Sequence, residues 1–79
     1  MAEKIVDNQR VHLEIQDREL SNSIFHLERS IRELSEAVRV GGEPEDELRV
    51  YYEAIQENKT VLLKKQIELK EVKRRLSAE

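Results

Sequence analysis

Leucine returns at every seventh residue over Leu13, Leu20, Leu27 and Leu34, and Ile24, Ile31 and Val38 stand four residues after the last three. Steps alternating between three and four residues draw one apolar stripe along an α-helix, whereas a strand repeats every two residues. A second ladder of sevens follows in Leu48, Ile55, Leu62, Leu69 and Leu76, and Gly41-Gly42-Glu43-Pro44 separates the two. The chain therefore reads as two long heptad helices joined by a tight turn.

With the first leucine ladder at the d position, Val6, Leu13, Leu20, Leu27 and Leu34 take d, and Arg10, Asp17, Ile24, Ile31 and Val38 take a. In the second segment Leu48, Ile55, Leu62, Leu69 and Leu76 take a, and Tyr51, Asn58, Lys65 and Val72 take d. Residues 1–4 carry no period and are expected to fray. Residues 5–40 form the first predicted helix, 41–43 the turn and 44–77 the second helix, in a single domain 1–79. Ser21-Asn22-Ser23 is weak helix-forming sequence, but the heptad count runs through it, so it predicts a soft spot rather than a break. Gly41 falls where a left-handed helix cap belongs, and Pro44 suits a first helical turn, followed by acids that the helix dipole favours.

Two segments of similar length and a short turn specify an all-α fold, a two-helix antiparallel coiled-coil hairpin. Matching like positions sets Val38 opposite Leu48, Leu34 opposite Tyr51 and Ile31 opposite Ile55 near the turn. Farther away, polar residues enter the seam: Asn58 opposite Leu27, Lys65 opposite Leu20, Asp17 opposite Leu69 and Arg10 opposite Leu76. Asp17 and Lys65 lie one layer apart and are expected to pair, and the turn half is expected to be the firmer one. At 79 residues the chain buries too little surface to be comfortable alone, so self-association or a partner is expected to complete a helical bundle.

Charged residues make up 39% and hydrophobic residues 38%, a balance that suits long amphipathic helices. The absence of cysteine excludes a disulfide framework, a thiol nucleophile and a thiolate metal site. No apolar run approaches a membrane span and the first residues lack a signal-peptide core, so the expected location is cytoplasmic or nuclear rather than secreted. His12 and His26 sit in similar pentads two heptads apart, about 21 Å along one helix, too far to share a metal. The carboxylates lie on straight helices without a concave site to desolvate them, and Gly41-Gly42 has no following lysine to make a phosphate loop. No enzyme activity, cofactor or metal is expected.

Apolar residues that the seam leaves out carry the functional expectation. Val11, Ile15 and Phe25 on the first helix, and Leu63 and Ile67 on the second, fall at b and f positions, with Val50 and Val61 toward the other flank. Val11 with Ile15 and Leu63 with Ile67 are i, i+4 neighbours, so they form short stripes suited to another helix. The expected role is a small scaffold, adaptor or assembly subunit, presenting helix faces to a second copy or to a partner helix. A small chaperone or regulator clamping one client is the alternative. A third reading uses the charge gradient of the second helix, net −5 over residues 43–58 and net +4 over 59–79, to bind RNA or an anionic membrane. The spread of Lys64 to Arg75 around the helix, the lack of interleaved aromatics and the net charge of −3 speak against nucleic acid.

Overall fold

The computed structural model describes the backbone of residues 2–78 and the side chains of residues 8–78. Two helices, α1 (Ala2–Val40) and α2 (Glu45–Ala78), fold back on one another into a rod of 62 × 16 × 14 Å. Helix α1 begins at Ala2 and passes Ser21-Asn22-Ser23 unbroken. The seam position assigned to Val6 lies outside the described side chains.

The turn is built as the two glycines suggest. Gly41 and Gly42 both have positive φ, 79° and 88°, a region that costs other L-residues about 1 kcal/mol or more. The Gly41 N–H donates to the Ala37 carbonyl at 3.3 Å and closes α1. Pro44 stands one residue earlier than the first-turn position expected for it. It precedes α2 and offers its carbonyl to the Leu48 N–H at 3.0 Å, so it caps the helix while lacking a donor of its own. Glu45, Asp46 and Glu47 then occupy the first turn, where the dipole favours negative charge.

All the apolar a and d positions from residue 13 onward are buried or half-buried. The register differs from like opposite like. Asn58 Nδ2 donates to Ser30 Oγ at 3.2 Å, and Lys73 Nζ to Asp17 Oδ2 at 3.3 Å. Leu69 and Leu76 pack against a cluster of Leu13, Leu20 and Val72. The polar bonds across the helices sit a few residues beyond like-opposite-like matching, which places Leu20 near the level of Leu69, Leu13 near that of Leu76, and Val72 between Leu13 and Leu20. Cα–Cβ bonds tilt toward each helix N-terminus. In an antiparallel pair the two tilts point in opposite axial directions, so each side chain meets a residue farther along than backbone matching suggests.

Two further expectations are corrected by this register. Asp17 pairs with Lys73, not Lys65: its carboxylate leans to the rim of the seam, where it also accepts from Ser21 Oγ at 3.1 Å. The contiguous buried cluster lies far from the turn, in Leu13 (9% exposed), Leu20 (9%) and Val72 (7%); the turn half has one buried residue, Ile55. The g positions beside the two halves differ in size. Gln9, Gln16, Glu68 and Arg75 stand at g positions along the distal seam. Ser30, Ala37 and Ala54 stand at g positions along the turn half, where Ile31, Leu34, Val38 and Leu48 are half-buried.

Leu20→Ala should therefore cost about 3 kcal/mol and Leu34→Ala about half of that, measured by urea denaturation of each variant; equal costs would contradict the assignment of the firm half. No atom lies within 4 Å of a Cβ built on Gly41 or Gly42. Alanine at either position should thus lose about 1 kcal/mol through backbone strain alone, visible as a lower thermal midpoint with unchanged helicity.

Candidate interaction surface

Hairpin geometry sorts the surface into two broad sides and two outer edges. At 100° per residue, e and b positions of both helices share one broad side, and g and c positions share the other. The cross-helix bonds fix this sorting: Lys73 reaches Asp17 on the first side, and Asn58 reaches Ser30 on the second.

The five apolar residues outside the seam are all exposed: Val11 50%, Ile15 41%, Phe25 57%, Leu63 59% and Ile67 62%. They do not form one patch. Val11, Phe25 and Leu63 lie on the e/b side, whereas Ile15 and Ile67 crest the two opposite outer edges. Tyr52, which the heptad reading passes over beside its seam neighbour Tyr51, is also exposed on the e/b side, and Val40, Val50 and Val61 are exposed on the g/c side. The signal for Tyr52 lay in its e position, adjoining the seam.

Charge divides the same way, which the linear sequence conceals. On the e/b side α1 carries Arg18, Arg32 and Arg39 against Glu14 and Glu28, and α2 carries Arg49, Lys59, Lys70 and Lys73 against Glu45. Among the residues whose side chains are described, that makes seven bases to three acids. On the g/c side Glu19, Glu33, Glu47, Glu57, Glu68 and Glu71 face only Lys64 and Arg75 within the two helices. The basic end of α2 thus contributes to both sides instead of forming one stripe.

Ion pairs hold several of these groups close to home. Arg29 Nε pairs with Glu33 at 3.0 Å, Arg10 Nε with Glu14 at 3.1 Å, and Arg39 with Glu36. Arg74 forks onto both oxygens of Glu71, at 2.9 and 2.6 Å, and Arg75 adds a third contact at 3.4 Å. These hydrogen bonds hold the Glu71 carboxyl down to about 2, and Arg39 likewise lowers Glu36. At the turn the Glu43 carboxyl is pushed up, chiefly because its protonated form donates a hydrogen bond to Glu47, and also by burial and the Glu47 charge. Glu71 therefore favours the hairpin above the ordinary carboxylate range and loses that contribution as pH falls toward about 2. Glu43 acts oppositely, favouring the fold in acid and ceasing to as pH rises through its raised value.

His12 and His26 are both exposed, and the Phe25 and His26 rings meet edge-on at 5.7 Å. Among the described residues no group of three or more His, Cys, Asp or Glu is placed to hold a metal, and no helix is long and apolar enough to cross a membrane.

A helical hairpin whose chemistry lies on its exposed helix faces is the class of protein that these features define. Residues 1–78 match the TMA17 helical domain, and the chain belongs to that family. No curated protein and no solved structure matches the chain.

Carbon-detected NMR titration of the Glu71 carboxyl should give a midpoint near 2, returning to the ordinary glutamate range when Arg74 and Arg75 are both changed to Gln. A midpoint indifferent to those changes would reject the arginine fork as its cause.

Proposed function

We propose that the protein is a non-catalytic protein–protein interaction module, a small scaffold, adaptor or assembly subunit that works by presenting helix faces to another helix. The observation that carries this reading is the exposure of Val11, Ile15, Phe25, Leu63 and Ile67 on a hairpin of only two helices. Each of these side chains is large and apolar, and none serves the seam. Burying one against a partner gains about 1.5–3 kcal/mol, and a two-helix rod has no third element to do so.

The seam supplies rigidity in this mechanism, and the outer residues supply contact. Membership of the TMA17 helical domain family supports a helical module as the working unit. An occupant that completes a three- or four-helix bundle on the e/b side covers Val11, Phe25 and Leu63.

Ile15→Asp combined with Ile67→Asp should reduce the native size of the chain in cell extract to that of the bare hairpin, while circular dichroism retains most helicity. Leu27→Asp, in the seam, should instead lose the helical signal. A complex whose size is untouched by the outer pair of changes sinks the interface.

A further inference from the structure

The e/b side is laid out in rungs. Arg18 and Lys70, Phe25 and Leu63, and Arg32 and Gln56 are pairs of b positions whose numbers each sum to 88, as do those of the bonded Ser30 and Asn58. Each pair therefore stands at one level of the rod, one residue on either helix, and successive rungs are about 10 Å apart. An apolar rung lies in the middle, with a doubly basic rung on one side and Arg32 on the other. Between the rungs the groove floor is Ser21 and Gln66 on one side of the apolar rung and Glu28 with Lys59 on the other.

The bases of these rungs are also unspent. Arg18, Arg32 and Lys70 are exposed and make no ion pair among the described residues, whereas Arg29, Arg39, Lys73, Arg74 and Arg75 are each held by a carboxylate. Unpaired cations on both sides of an apolar rung are the complement of a helix with the reverse pattern.

We propose that this side of the hairpin docks an amphipathic helix of another protein, one with an apolar residue at its centre and carboxylates about seven positions before and after it. The inference rests on the interaction-module reading above and names the partner's chemistry. Phe25 and Leu63 take the apolar residue, and Arg18 with Lys70 and Arg32 take the carboxylates. Burial at the centre supplies affinity, and the flanking charges fix register and exclude basic helices.

A second copy of this chain is a poorer occupant. Its acidic g/c side spaces Glu19 with Glu71 and Glu33 with Glu57 around His26 and Lys64. Bringing those glutamates onto the basic rungs sets the Lys64 charge over Leu63. Nucleic acid is disfavoured by the central apolar rung, which offers phosphate nothing, and by Glu28 between the rungs.

The test uses the full chain, isotopically labelled, and two synthetic 21-residue helices with the same leucine stripe. One carries Glu seven positions either side of the central leucine, and the other carries Lys there. The Glu helix should shift amide signals around Ser21, Phe25, Leu63 and Lys70 and weaken about tenfold on raising salt from 50 to 300 mM. Arg18→Glu with Lys70→Glu should weaken the Glu helix at least tenfold and strengthen the Lys helix, an exchange of preference that loss of structure does not produce.

Equal binding of the two helices, shifts centred on Glu19 and Lys64, or failure of both helices to bind overturns the proposal. So does a single-stranded RNA 15-mer that displaces the Glu helix from this side, or sedimentation showing a homodimer that covers it. Preference for the Lys helix overturns the charge assignment and leaves the interaction-module reading standing. That broader reading falls only when the Ile15 and Ile67 changes and the Arg18 and Lys70 changes all leave the native complex size unaltered.

Discussion

Two adjacent residues at positive φ, Gly41 and Gly42, turn the chain between helices of 39 and 34 residues, and every other contact depends on that reversal. The turn fixes which level of α2 lies beside which level of α1. Because heptad ladders repeat, several registers bring leucine against leucine; loop length selects among them. Once it is set, the seam, the cross-helix bonds and the division of the surface follow together.

Polar groups within the seam confirm the register more than they strengthen it. Asn58 finds Ser30, and Asp17 reaches the rim to meet Lys73 and Ser21. Exposed pairs of this kind contribute little net stability, but a slipped register leaves a half-buried carboxylate and amide without partners, which is costly. The apolar cluster of Leu13, Leu20 and Val72 can then close around Asp17 because its charge has been led outward.

A rod of two helices has much surface and little interior, and its chemistry lies on its flanks. The antiparallel arrangement gathers bases from both helices on one broad side and acids on the other. Family membership gives a helical module, and the exposed apolar residues with the alternation of basic and apolar rungs are the features on which the proposed interaction role rests.

The sequence by itself determined that there are two helices, where the turn lies and which residues line the seam. These are local properties: heptad period, the positive φ that glycine tolerates and the missing donor of proline. It also marked Val11, Ile15, Phe25, Leu63 and Ile67 as lying off the seam, since helical angle alone sets that. Only the tertiary structure decided that Asp17 meets Lys73 rather than Lys65, that the buried cluster lies away from the turn, and that Phe25 stands level with Leu63. Each depends on the axial offset between two helices whose side chains tilt in opposite directions. A ladder of sevens matches another ladder of sevens at many offsets, so the choice among them is made by the loop and by contacts between residues distant in the chain.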